Sequence, residues 1–265
     1  MRHDVDRCGY RAQLWYGGGC ECLAVALAAG TTLEALRPGG DRGQAMEAMA
    51  HGATAIAGKL YAAGKLQAVM ALGGYGGSSV ATAAMRALPI GVPKLMVSTV
   101  AAGDVSPYVG TSDIMMLFPV IDFAGLNVIS ERILNNAAVA AAALAKVASR
   151  AGPIEASSPV VAINMFGVTT KAATAAREYL EEAGYEVLVF HANGAGGRAM
   201  EKLVRDGLVS GVLDLTTTEL ADEVAGGTLS AGPDRLEAAG DRCARRTIFR
   251  SAGRCGADRQ SSANS

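Results

Sequence analysis

Four glycines, Gly73, Gly74, Gly76 and Gly77, followed by Ser78 and Ser79, stand directly behind the short apolar run 69–72. The run is too short for a helix of its own, and a helix-forming stretch, 80–88, comes after the serines. The pattern reads as strand, tight turn, helix. Glycines in such a turn admit positive φ and let a ligand approach the main chain. The N–H groups of the new helix, with Ser78 or Ser79 as cap, would form an anion site. A turn that only packs helix on strand explains the glycines equally well. No Gly-Lys-Ser/Thr follows, so the stretch is not a Walker A loop, and its glycine spacing is not that of the dinucleotide fingerprint.

Four more places have the same character. Ser98 and Thr99 end the apolar run that starts at Pro93. Gly167 and Thr169 follow the run 160–165. Gly194, Gly196, Gly197 and Arg198 follow the run 186–190 and His191. Thr216 and Thr217 follow the run 211–215. Ligands of parallel α/β sheets sit at the carboxyl ends of the strands. Five such ends rich in Gly, Ser or Thr favour one shared cleft for a phosphate-bearing ligand. The glycines before Arg198 open a second helix and with it a second candidate anion site.

Other polar residues carry competing readings. Asp41 suits an N-cap. Arg42 serves a surface ion pair or a phosphate. Asp104 and Asp113 could help hold Mg²⁺ or simply begin a turn and a strand. Lys94, at a strand start away from the expected ligand, reads as structural. His191 is a candidate acid or base, though a satisfied histidine is the plainer reading. Glu219 and Asp222 read as a solvated helix face behind Thr216–Thr218. No Ser-His-Asp or Cys-His pattern is present, and a single Cys20-Glu21-Cys22 pair is a weak metal signal, so no metal ligands are assigned.

The elements that must position these groups follow in order. Residues 1–25 show neither helical nor strand periodicity and are read as poorly ordered. A short helix from Thr31 or Thr32 ends at Pro38. Asp41 opens an amphipathic helix that runs to Ala63 and stops at Gly64. Strands are expected at 69–72, 93–99 and 113–118, a long loop at 100–111, and a helix at 127–150. The stretch 149–159 has linker composition, so a boundary is placed at 152–153. Then come a strand at 160–165, a helix at 169–183, a strand at 186–190, a helix at 199–206 and a strand at 211–215. Alternation in both halves predicts an α/β fold of two Rossmann-like subdomains with parallel sheets flanked by helices, and a ligand cleft between them.

Half of the 265 residues are hydrophobic and only 5% aromatic, so the core must be built from Ala, Val, Leu and Met. A net charge of −1 offers nothing to nucleic acid or an acidic membrane. No apolar run of spanning length and no signal-peptide pattern are read, so a cytoplasmic protein without a membrane partner is expected.

Several strings then recur together in one family: DRG at 41–43, GGYGG at 73–77, MRALPIGVPK at 85–94, MVSTVA at 96–101 and YVGTSDI at 108–114. In the second half they are MFGVTT at 165–170, HANGAGGRAME at 191–201, DLTTTE at 214–219 and SAGPDRL at 230–236. Over about residues 26–238 the chain resembles the uncharacterised bacterial relatives of the ATP-binding domain of the tomato mosaic virus resistance protein. The resemblance implies two α/β subdomains, bound ATP and a homo-oligomer. It implies no reaction. Absent from this chain are the family's opening strand with its Thr-x-Asp-Thr-Lys ending and the segment beyond SAGPDRL. Residues 1–25 and 239–265, which hold all five cysteines, are read as non-family sequence, the tail as disordered, and the chain as a fragment or a frame-shifted reading. The expected function is ATP binding, with phosphates on the Gly-rich turns and charge balanced by Mg²⁺ or Arg198. An enzyme acting on a phosphorylated or nucleotide-like molecule, and a non-functional fragment, are the alternatives.

Overall fold

The computed structural model describes residues 22–36, 41–152, 154, 156–242 and 249–250. The opening segment up to residue 21, the expected helix stop at 38–40 and residues 243–248 and 251–265 of the tail lie outside them; the described rest of the tail, read as disordered, is helical at 239–242 and extended at 249–250, a correction to that reading. The chain divides into two compact units, Met1–Ile154 and Glu155–Ser265. Each is a small parallel sheet flanked by helices, as two Rossmann-like subdomains require.

The first unit starts with helices α1 (Cys22–Ala28), α2 (Leu33–Leu36) and α3 (Arg42–Ala62). The first of these corrects the reading of residues 1–25 as wholly irregular. Seven residues are too few to show a period, yet Val25 joins the core with Ala53 and Ala57. Thr32 caps α2 through its Oγ1, which accepts from the Ala35 N–H. Asp41 caps α3, its carboxylate accepting from the N–H groups of Gly43 and Gln44 at 2.8 and 3.2 Å. Gly64, at φ +67°, ends that helix.

Strands β1 (Val69–Gly73), β2 (Lys94–Ser98) and β3 (Ile114–Leu117) pair in that order, all parallel. Helix α4 (Tyr75–Ala87) joins β1 to β2. A 3₁₀ turn (Thr99–Ala102) and the one-turn α5 (Ser106–Val109) occupy the long loop before β3. Val80, Ala84, Met85 and Leu88 pack with Val69, Ala71 and Met96 into the core that α3 also covers. The other face carries α6 (Val128–Ala151), whose Leu134, Ala137 and Ala141 meet Leu95 and Val97. Asn127 caps it through a capping box with Ser130. This helix corrects the expectation that no segment reaches spanning length: by length and composition it could cross a membrane. Its alanines make it apolar without a solid aliphatic run, and one stripe of it covers the sheet.

The second unit holds β4 (Val160–Met165), α7 (Thr170–Glu182), β5 (Glu186–His191), α8 (Ala195–Arg205), β6 (Gly211–Asp214), α9 (Thr218–Ala225), α10 (Glu237–Arg242) and β7 (Phe249–Arg250). The sheet order is β5-β4-β6-β7, all parallel. The chain therefore leaves β4 to one side for β5 and returns to the other side for β6. That reversal makes the carboxyl ends of β4 and β6 the topological switch point of this unit.

Candidate functional site

The β1–α4 connection is tighter than the sequence suggests. The helix begins at Tyr75, and its N-cap is Gly74, at φ −90° and ψ −155°, with no side chain among the described residues accepting from the first turn. Gly76 and Gly77 are thus helical, and none of the four glycines has positive φ. Both points correct the expectation of an extended glycine loop capped by Ser78 or Ser79. The reason for a glycine at 73 is contact. A Cβ there would lie 2.9 Å from Gly77 Cα and 3.2 Å from Ser78 N, because the strand end runs straight into the helix's first turn. A Cβ on Gly74 would meet only Thr99 Oγ1, at an ordinary 3.5 Å.

Ser78 and Ser98 are brought together, but for each other. Both are fully buried, and their Oγ atoms are 2.6 Å apart. Ser98 Oγ also accepts from the Val100 N–H, and Thr82 Oγ1 donates to the Ser78 carbonyl. These hydroxyls pin α4 to β2 and do not face outward, a correction to their expected place on a ligand. Ser79 is exposed, its Oγ donating to the Tyr75 carbonyl. The register Gly73↔Ser98 sets Thr99 beside the uncapped turn. Gly74, Gly76, Gly77, Ser79 and Thr99 are therefore the residues at one sheet edge whose backbone or side chain remains available. The parallel strands deliver them there, and the dipole of a 13-residue helix favours an anion at that point.

At α8 the anion is the protein's own. Glu219, from the first turn of α9, places Oε1 2.7 Å from the Gly194 N–H and 3.0 Å from the Gly197 N–H. Gly194, at φ +83°, is the N-cap, and a Cβ on it would lie 2.6 Å from the Ser230 carbonyl oxygen. A Cβ on Gly196 would lie 2.0 Å from the His191 carbonyl oxygen, and one on Gly197 would strike the Glu219 carboxylate. So this helix starts at Ala195 rather than 199, and its glycines admit neighbouring chain where phosphate was expected. Arg198 is exposed and donates from Nη1 to the Ser230 carbonyl at 2.8 Å.

At the β4/β6 switch point, Thr169 Oγ1 and Thr216 Oγ1 are 2.6 Å apart, as their shared strand-end position predicts. Beneath them the buried Asn164 accepts from the Leu215 and Thr216 N–H groups and donates to the Thr216 carbonyl and to Asp214. Gly167, at φ +49° with open space around it, and Thr217 are exposed at the rim. His191 is also exposed, its ring tilted against Phe166 at 5.2 Å between centroids.

Sequence reasoning missed the charged centre of this unit. Arg235 is buried, with Nε 2.8 Å from Glu219 Oε2, Nη1 3.1 Å from Glu201 Oε1 and Nη2 2.7 Å from Asp214 Oδ2. The Asp214 contact is close but out of hydrogen-bond alignment. Burial raises the Asp214 pKa above the ordinary carboxylate value, against the pull of Arg235. Burial opposes the charge on Arg235 in turn, but the surrounding carboxylates hold its pKa above the ordinary value. Glu219, expected on a solvated face, is 1% exposed. Its partners lie 16 to 25 residues away, so no local pattern reveals them.

The two acids proposed for Mg²⁺ in the first unit also have other tasks. Asp113 accepts from Lys94 Nζ at 2.7 Å and from the Gly91 N–H at 2.8 Å. Asp104 accepts from the Ser106 N–H in an exposed turn. Among the described residues no cluster of three or more His, Cys, Asp or Glu side chains is placed for a metal ion.

The N-terminal domain model of the uncharacterised protein family UPF0261 matches residues 18–150, and the C-terminal domain model of the same family matches 158–243. A UPF0261 protein of Clostridium tetani is 52% identical over 217 residues, 82% of this chain and 53% of the relative. One of Rhizobium meliloti is 51% identical over 215 residues, 78% of this chain and 52% of the relative. The tomato (Solanum lycopersicum) ToMV susceptible protein tm-1(GCR26) is 44% identical over 200 residues, 74% of this chain but 26% of that protein. The chain thus spans about half the length of the bacterial relatives it matches. The matched spans are wider than 26–238 and take in Cys20, Cys22 and Cys243, which corrects the assignment of every cysteine to unmatched ends.

Proposed function

This chain belongs to the uncharacterised protein family UPF0261, and we propose that it binds a nucleotide, ATP, through the phosphates at the β1–α4 turn. One observation carries the reading: α4 opens at a sheet edge with a glycine N-cap, glycines at its second and third positions and, among the described residues, no side chain accepting from its first turn. The N–H groups there point where a phosphate would be held by hydrogen bonds and by the helix dipole together. Thr99 lines the same edge with a hydroxyl. The corresponding position on α8 is filled by Glu219, so the chain satisfies one such helix start internally and leaves the other to a ligand. Gly167 and Thr217 stay exposed at the second unit's own switch point and take no part in this reading. With Lys94 bonded to Asp113 and Arg198 donating to the Ser230 carbonyl, the phosphate charge falls to Mg²⁺ carried in with the nucleotide. Self-association and a cytoplasmic location belong to the same proposal.

The test is Gly74→Asp. Its backbone angles suit an ordinary residue, and the new Cβ meets only Thr99 Oγ1 at 3.5 Å. Aspartate is a better N-cap than glycine by a few tenths of a kcal/mol, so the folded protein should be unharmed. Its carboxylate would occupy the phosphate position as Glu219 does on α8. Calorimetric titration with Mg-ATP should show binding by the parent chain and a loss of at least about tenfold, ~1.4 kcal/mol, in the variant. Equal affinity in a variant of unchanged melting temperature would place the nucleotide elsewhere.

A further inference from the structure

The ends of the first unit's three strands lie in one row. The register sets Gly73 beside Ser98 and Val97 beside Leu117, so Phe118 continues the row behind β3. Among the described residues no strand pairs with the outer side of β1. The β1–α4 turn therefore has strand ends on one side alone: first Thr99 behind β2, then the connection that leaves β3. Paired strands lie about 4.8 Å apart, so the end of β3 stands about 10 Å from the turn.

That connection holds apolar groups out of the core. Leu117 and Phe123 join the cluster under α6, and Pro119 is buried. Phe118 and Val120 belong to no hydrophobic cluster of the described residues and are 40% and 63% exposed. Val120 also has φ +69°. A β-branched side chain is strained in that region, and such a conformation persists only where the surrounding structure imposes it. Here the buried Pro119 anchors the chain on one side and Phe123 on the other. The isopropyl group of Val120 is left at the edge beside the ring of Phe118.

We infer that the end of β3 is the base subsite of the phosphate site proposed above: Phe118 and Val120 hold the face of a nucleobase whose phosphates lie on the β1–α4 turn. The inference rests on that reading. A phosphate, a sugar and a base laid end to end cover about the distance from the turn to β3. Thr99 falls between the two, with a hydroxyl suited to the sugar. An aromatic ring and a branched aliphatic group grip a base by its flat face, which every base has. The subsite therefore favours a nucleotide over bare polyphosphate without choosing among bases. Tyr75, 75% exposed at the first position of α4, is an aromatic group close to the same turn. It stands on the helix, off the row of strand ends, and serves as the control.

Calorimetric titration of the full chain with ATP and with inorganic tripolyphosphate, both with Mg²⁺, tests the subsite. The parent should bind ATP at least about tenfold more tightly, the order of one stacked base. Val120→Gly removes the isopropyl group at a backbone angle that glycine takes freely, so it should fold as the parent does. That variant and Phe118→Ala should each lose about threefold to tenfold in ATP affinity and nothing in tripolyphosphate affinity. Tyr75→Ala should change neither. Where Phe118→Ala folds poorly, Val120→Gly decides. Three results overturn the inference and leave the phosphate reading standing: ATP bound no more tightly than tripolyphosphate, equal loss of both ligands in the variants, or a preference for ATP that goes with Tyr75 and survives the other two substitutions. A parent chain that binds neither ligand overturns both.

Discussion

Lys94 brings an ammonium group into the first unit at 0% exposure, where a lone charge would be prohibitive. The carbonyls of Pro89 and Val92 and the carboxylate of Asp113 satisfy all three of its protons. Burial works to raise the Asp113 pKa, but Lys94 and the Gly91 N–H outweigh it, and the carboxyl titrates below its ordinary value. A lowered folded pKa contributes stability above the unfolded value, about 3.9, and loses it as pH falls through the folded one. Asp113→Asn should therefore cost about 2 kcal/mol at pH 7, less than the ~3–5 of a fully enclosed pair because Asp113 is partly hydrated. Urea titrations at pH 7 and pH 3 should show the gap between parent and variant shrinking in acid, and a gap independent of pH would deny the ion pair its role. The structural task of Lys94 was legible, since a lysine just after a proline at a strand start sits away from the edge where a ligand is expected. Arg235 and Glu219 were not, because their partners are set by which strand neighbours which.

Among elements, the strand-to-helix connection separates glycines that look alike in sequence. Gly73 must lack a side chain because β1 and α4 touch there, whereas Gly74 has room. Gly73→Ala should destabilise by about 1–3 kcal/mol, the range for an overpacked site, while Gly74→Ala should stay within about 0.5 kcal/mol of the parent. Guanidinium unfolding midpoints would check both, and equal effects would mean that the helix start shifts freely to absorb a methyl group. Periodicity and capping residues made most elements readable: Asp41 caps where expected, the helix expected from 127 starts behind Asn127, and Gly64 and Gly184 stop helices at positive φ. Helix starts inside glycine runs were misplaced by up to five residues, at Tyr75 and Ala195. Glycine has a poor helix propensity, and only tertiary contact draws it into a first turn.

At the scale of the molecule, two sheets with separate hydrophobic clusters raise the question of whether they melt as one. The clusters around Met85 and Met96, and around Met200 and Val212, share no residue. Alternating periods and the linker composition near 152 are local signals, so a division at that point can be expected from the sequence alone. Separate cores predict two calorimetric transitions rather than a two-state melt. Arg235→Met should lower only the second unit's transition, because it leaves buried acids without their cation, a loss of about 3–5 kcal/mol. Saturating Mg-ATP should raise only the first unit's transition. At a hundredfold excess over Kd the linkage is about 2.7 kcal/mol, which for a unit of this size is roughly 5–10 °C. Mass action requires that the unit whose transition moves be the one whose native state binds. Scanning calorimetry of parent and Arg235→Met, each with and without Mg-ATP, resolves the assignment. An ATP shift that follows the Arg235-sensitive transition would move the nucleotide to the second unit's switch point, between β4 and β6.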